Sequence, residues 1–193
     1  GRVTAGTFVF ACGPWLPRLF PDVLGGRIFA TRQEVFYFGV PAGDRTFAPP
    51  AMPVWIDFVD EFYALPDIEG KGLKFGLDRH GPPIDVDRDD RLVSPETFAV
   101  IRDLVGRRLP ALRDAPIVGT EVCAYENTST GDFVIDRHPE RENVWLVGGG
   151  SGHGFKHGPA VGEHVADRVQ GRSDGDRRFS LETKASEKNR VIY

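Results

Sequence analysis

Cysteine is scarce in this chain: two residues, Cys12 and Cys123, among 193. Two thiols cannot build the disulfide framework of a small secreted domain. The expectation is a reduced, cytoplasmic protein. No apolar run approaches the ~20 residues that a membrane-spanning helix needs, so no membrane is expected as a partner. The opening, GRVTAGTFVFACG, has no basic region before a long apolar stretch and so lacks a signal-peptide layout. Lys and Arg together number 24 against 28 Asp and Glu. The resulting net charge of −4 gives no electrostatic reason to expect nucleic acid. Lysine itself is rare, with five in the whole chain. No internal repeat is visible, and no G-x-G-x-x-G follows a strand near the start of the chain.

What is present is ordinary in bulk and unusual in one stretch. A hydrophobic content of 40% and a charged content of 27% suit a globular protein of one large or two small domains. The unusual stretch is VWLVGGGSGHGFKHGPAVGEHVADRV, Val144 to Val169. Val144–Val147 reads as a buried strand. Gly148, Gly149, Gly150, Gly152 and Gly154 follow, and a helical pattern starts near Pro159. Strand, glycine-rich turn and helix together present backbone N–H groups to an anionic or electron-rich ligand.

The rest of the chain reads as follows. Thr7–Ala11 is a strand closed by Gly13-Pro14, and Trp15–Phe20 a short helical segment. Arg27–Val40, rich in β-branched and aromatic residues, is one or two strands, and Val54–Phe58 is a short one. Glu61–Leu65 and Gly72–Leu77 flank the turn Pro66-Asp67-Ile68-Glu69-Gly70 as a hairpin. Ser94-Pro95-Glu96 starts a helix, with Ser94 as the cap. Its apolar face is Phe98, Ile101, Val105, Leu109 and Leu112. Ile117–Tyr125 and Asp132–Ile135 are strands joined by a polar turn, Glu126–Gly131. From Gly171 on, polar composition with weak periodicity suggests a mobile tail. The fold class expected is α+β: the two ends form pieces of one α/β layer, with a β-rich layer inserted between them.

Several residues could carry chemistry. Lys156 follows the glycine turn, where a cation suits an anionic ligand, although a solvated surface lysine reads equally well. Lys74, in LKFGL, either points to solvent by alternation or points inward, where desolvation would lower its pKa. Cys123 is either a small core residue or a thiol at a strand-to-loop transition. Cys12 suits a buried strand. His153 and His157 stand four apart, but Gly154 and Pro159 argue against a regular helix and no third ligand has fitting spacing, so no metal site is expected. Gly149-Gly150-Ser151-Gly152-His153 departs from the G-x-S-x-G nucleophile elbow.

Taken together, Cys123-Ala124-Tyr125, DFVIDRHP (132–139), Val144–Val147 and Gly152-His153-Gly154-Phe155-Lys156 resemble the C-terminal half of the monomeric sarcosine oxidase family. These are flavin amine oxidases of the D-amino-acid-oxidase superfamily. The segments Ala11–Trp15, Arg32-Gln33, Phe62-Tyr63 with Pro66, and Gly72–Gly76 are similar too. The resemblance covers about residues 3–172. It implies FAD held by a thioether from Cys123, a lysine acting on oxygen at Lys74, and a lysine binding the substrate carboxylate at Lys156. It further implies Tyr63 and Tyr125 at the substrate, His153 beside the flavin, and Gly149, Gly150, Gly152, Gly154 and Phe155 at the flavin's pyrimidine edge. The implied reaction oxidises the C–N bond of a small amino-acid-like amine, with O2 reoxidising the flavin to give H2O2. Two departures stand out. Asp78, followed by His80, occupies the place where the family has a histidine. The ADP-binding half, with an arginine for the carboxylate, is expected outside this chain.

Residues 1–25 and 142–172 are accordingly assigned to the C-terminal part of a Rossmann-like FAD-binding domain. Residues 26–141 are assigned to a substrate-binding domain with an antiparallel or mixed sheet, and 173–193 to a tail. The alternative of a different class is a non-catalytic α+β module that binds a small anion and holds no FAD.

Overall fold

The computed structural model describes residues 1–186, so the part of the tail at 187–193 lies outside the described residues. The chain divides into two packed units. One comprises Gly1–Thr31, Pro83–Val86 and the described residues from Ala124 onward; the other comprises Arg32–Pro82 and Asp87–Cys123. Two of the divisions fall inside long strands, at 31/32 and 123/124, and the other two flank the short segment Pro83–Val86.

In the first unit, β1 (Phe8–Phe10) runs parallel to β8 (Arg141–Gly148), with Phe8 opposite Val144 and Phe10 opposite Leu146. β7 (Val134–His138) runs antiparallel on the other side, giving the order β1-β8-β7. A parallel pair needs a crossover connection. Here the intervening chain is most of the protein, which is why the two ends of the sequence read as one layer. Leu16, Leu24, Ile28, Val134, Val144 and Leu146 form the buried core. Leu16 and Leu24 come from two single-turn helices, α1 (Leu16–Leu19) and α2 (Pro21–Leu24). Proline sits in the first turn of each, where its missing N–H has no helical partner to lose.

The supposed tail is not loose over its described part. Leu181 is buried in this core, and its N–H donates to Asp136 Oδ2 at 2.9 Å. Phe179 meets Phe133 edge-on at 5.9 Å, and buried Lys184 donates to Thr130 Oγ1 at 3.2 Å. Two isolated apolar residues among polar ones give no periodic signal, so the sequence did not reveal this packing.

The second unit is built on a five-stranded sheet with the order β3-β4-β5-β2-β6. Its strands are β2 (Ile28–Phe38), β3 (Trp55–Asp57), β4 (Phe62–Leu65), β5 (Leu73–Leu77) and β6 (Ile117–Thr128). Alternation places Phe36, Phe38, Phe62 and Phe75 on one face, all fully buried. Phe62 and Phe75 stack at 5.5 Å, and Phe38 meets Phe75 edge-on at 5.1 Å. Truncating any of these rings would cost about 3–5 kcal/mol.

The helix α3 (Pro95–Arg108) joins that core through Ile101, Leu104 and Val105. Ser94 caps it as expected, its Oγ accepting from Thr97 N at 3.1 Å. The apolar stripe differs in detail. Leu104 is buried while Phe98 remains 39% exposed, and Leu112 enters the core from a separate turn after Pro110. Proline at 110 stops the helix, so periodicity beyond Arg108 no longer tracks one face. β6 also runs further than its polar ending suggested. Asn127 and Thr128 are buried in the first unit, where the donor of each side chain finds an acceptor. Asn127 Nδ2 donates to Thr31 Oγ1 at 2.8 Å, and Thr128 Oγ1 donates to Asp132 O at 2.8 Å.

Candidate functional site

The glycine turn after β8 is held in a shape that ordinary residues would resist. Gly149 and Gly152 have φ of +74° and +82°. A Cβ on Gly152 would stand 2.3 Å from Tyr125 Cε2, and one on Gly149 2.6 Å from Thr128 Cγ2. The turn therefore packs directly on the end of β6, with the Tyr125 ring close against Gly152. Ser151 is buried with φ +46° and braces the turn from within. Its N–H donates to Glu126 O at 3.0 Å, its Oγ donates to Gly149 O at 3.2 Å, and its Oγ accepts from Thr128 N at 3.3 Å. A hydroxyl engaged in this way is part of the scaffold, in agreement with the missing elbow pattern.

A cavity of about 450 Å³ opens beside this turn, lined by Tyr125, Glu126, Phe133, Val147, Gly150, Gly152, Gly154 and Phe155, together with Ala11 and Gly13 from the end of β1. That volume lies within the usual range for small-molecule sites. Phe155 is fully exposed at its mouth. Lys156 is exposed next to it, in the turn Phe155–His157 that leads into α4 (Gly158–Val169). His153 Nε2 lies 3.0 Å from Gly131 O, an acceptor, which makes Nε2 the protonated nitrogen. The ring meets Phe133 and His157 edge-on, each at 5.9 Å. The two histidines thus belong to an aromatic cluster. No group of three or more His, Cys, Asp or Glu suited to a metal occurs among the described residues.

Glu126 was not singled out in the sequence, where it read as the first residue of a polar turn. Its Oε1 accepts from Gly150 N at 3.4 Å, and its Oε2 is buried with no hydrogen-bond partner among the described residues. Burial pushes the carboxyl above its usual range, against the opposing effect of the Gly149 and Gly150 amides.

The second unit carries the other residues singled out. Lys74 pairs with Tyr37 on β2 and with Leu65 on β4, and Tyr63 pairs with Gly76. Residues opposite one another share a face, so Tyr63, Lys74 and Tyr37 lie on the face away from the phenylalanine core. Lys74 and Tyr63 are both half-buried. Gly76 leaves room for the Tyr63 side chain: a Cβ there would meet Tyr63 Oη at 2.5 Å. Tyr37, also not singled out, has an Oη that donates to Glu121 Oε2 at 3.1 Å. Burial raises its pKa, assisted by Glu121 and by the nearby Cys123, so it stays a neutral donor. The signal for Tyr37 was its alternation with Phe36 and Phe38. Cys123 is half-buried at the end of this unit's part of β6, and Cys12, just past β1, is half-buried too, not fully enclosed as its strand position suggested. Both are free thiols.

Residues 1–168 match the DAO family, described as FAD dependent oxidoreductase. The chain belongs to this family. It is 35% identical over 170 residues to a monomeric sarcosine oxidase of Streptomyces avermitilis, covering 85% of this chain and 44% of that protein. It is 33% identical over 181 residues to an N-methyl-L-tryptophan oxidase of Salmonella heidelberg, covering 90% of this chain and 46% of that protein. The chain thus spans about half the length of the curated relatives it matches. The structure of a fructosyl peptide oxidase from E. terrenum superimposes with a TM-score of 0.77 at 22% identity, over 92% of this chain and 44% of that one. At that identity the likeness is one of fold, and it agrees with the α+β class read from the sequence. No helix among the described residues is long and apolar enough to cross a membrane.

Proposed function

We propose that this chain supplies the substrate-side and flavin-ring-side portion of an FAD-dependent amine oxidase acting on a small amino-acid-like amine. The observation that carries the reading is the glycine-walled cavity beside Tyr125 in a chain of the FAD-dependent oxidoreductase family. The residues present fit a flat heterocycle. Glycines replace side chains along much of the lining, and the aromatic residues Tyr125, Phe133 and Phe155 complete it. Bound FAD would accept the hydride equivalent released as the substrate's C–N single bond becomes an imine, and would pass the two electrons to O2 to give H2O2.

The chain's own residues bind, orient and tune. Lys156, exposed beside Phe155, offers a compact point charge for a substrate carboxylate. Tyr125, Gly150, Gly152, Gly154 and Phe155 line the ring side of the cavity, and Gly149 and His153 belong to the same turn without lining it, His153 being fixed by its bond to Gly131 O. Lys74 is the cation that stabilises the negative charge developing on oxygen as it takes up an electron. Its half-buried position on the face shared with Tyr63 and Tyr37 supports that role. Tyr63 lines the substrate position, and Cys123 carries the thioether to the flavin.

The test is the colour of the purified protein in which this chain is joined to an ADP-binding half, since these 193 residues alone are expected to bind flavin weakly or not at all. Flavin should remain with the polypeptide after acid precipitation, and Cys123→Ser should release it. A colourless protein from flavin-replete cells would instead support a module that holds no FAD.

A further inference from the structure

Glu126 is a half-buried ionisable residue beside the cavity, and its Oε2 is buried. It lies under the glycine turn. Oε1 accepts from Gly150 N at 3.4 Å, and Oε2 lies so close to Gly148 that a Cβ there would be 2.9 Å from it. The same Cβ would be 2.4 Å from Leu16 Cδ1, so Oε2 and an α1 leucine share the space over Gly148. Burial acts most strongly on the carboxyl, the amides of Gly149 and Gly150 oppose it, and among the described residues no charged side chain adds to either effect. The titratable neighbours on the adjoining segments are engaged elsewhere: the Tyr125 ring against Gly152, and His153 Nε2 with Gly131 O. An ionised carboxylate here would leave a buried acceptor without a donor, which is unfavourable. A neutral acid avoids a buried charge and still offers Oε1 to the turn.

We infer that Glu126 is a positioning residue whose neutral carboxyl braces the Gly148–Gly150 turn and keeps negative charge away from whatever ring fills the cavity. The inference rests on the reading that the cavity takes a flavin. Oε2 is buried, so that oxygen acts through the turn and not by direct contact with a ligand in the cavity. Proton loss from Glu126 places a carboxylate beneath the cavity, where it disfavours the electron-rich reduced ring and lowers its potential.

Two measurements test this. The first needs no flavin: infrared titration of the chain, wild type against Glu126→Gln. The expected result is a protonated-carboxyl band that persists above the pH range of ordinary glutamates and vanishes in the variant. Ionisation of every carboxyl within that range would overturn the inference. The second is the flavin midpoint potential against pH in the FAD-loaded protein. Glu126→Gln, neutral and still able to accept from Gly150, should match wild type at low pH and lack its additional fall at high pH. An upward shift at every pH would show that Glu126 is always ionised, and identical profiles would show that it does not reach the site. If wild-type protein takes up no FAD, the proposed function fails, while the infrared titration still decides the state of Glu126.

Discussion

Gly152→Ala should disturb the fold and the site together. Its magnitude can be worked from two separate sources. Residue 152 has φ +82°, and a non-glycine residue held in left-handed backbone costs roughly 1–2 kcal/mol. The new Cβ would also stand 2.3 Å from Tyr125 Cε2 and 2.6 Å from Cδ2. The ring or the turn must therefore move, and overpacking of this kind costs about 1–3 kcal/mol. The expected loss of stability is about 2–5 kcal/mol in total. The assay is chemical denaturation followed by tryptophan fluorescence, with Gly158→Ala as control. Gly158 has open space around it and an ordinary helical backbone, so alanine there should be neutral or stabilise by up to about 1 kcal/mol. A double-mutant cycle separates the two contributions. In a Tyr125→Ala background the clash disappears, and Gly152→Ala should cost only the backbone part. An unchanged cost in that background would refute the ring as the obstacle. A negligible cost in both would refute the turn geometry itself.

Further outcomes follow from other sites. Arg32 pairs with buried Glu34 at 2.9 Å, and Glu34 Oε2 also accepts from Ser94 N at 3.0 Å. Arg32→Ala should destabilise by about 3 kcal/mol in denaturant titrations at neutral pH. Burial raises the Glu34 carboxyl, but hydrogen bonds from Arg32, Ser94 and Thr97 outweigh it and hold the group below its usual range. Stability from this group is present above the ordinary glutamate pKa and lost as pH falls through the lower folded value, and the variant should show a flatter acid limb. Burial holds the Lys184 amine below the usual lysine range, so the unfolded chain binds its proton more readily. Stability should rise with pH between the folded and unfolded values, and Lys184→Met should remove that rise. Lys156→Met should raise KM for substrates bearing a carboxylate far more than for the corresponding amides, since it removes one point charge; equal effects on both would count against carboxylate binding.

Much of the fold could be read from the sequence because its signals were local. The β4–β5 hairpin announced itself in Pro66–Gly70, and Ser94-Pro95-Glu96 marked the start of α3 where it occurs. The joining of the two chain ends could be read as well, since β1 and β8 are both short apolar runs and pair in parallel. What escaped depends on long-range satisfaction of polar groups. β6 continues through Asn127 and Thr128 because Thr31 and Asp132, distant or across a turn, accept from them. The segment around Leu181 is ordered by Asp136 and the first unit's core, neither of which a window around Leu181 reveals. The site behaved in the same way. The glycine turn was plain in the sequence, whereas Glu126 became visible only when burial and its missing partner were known.

Anaerobic reduction decides whether a flavin held in part by this chain oxidises amines. The FAD-loaded protein carrying this chain is mixed with N-methyl amino acids in the absence of oxygen, and flavin absorbance is followed. The expected result is bleaching by a carboxylate-bearing amine, followed by return of the colour, with peroxide, when oxygen is admitted. Flavin that stays oxidised with every amino-acid amine, or a protein that takes up no flavin at all, would contradict it.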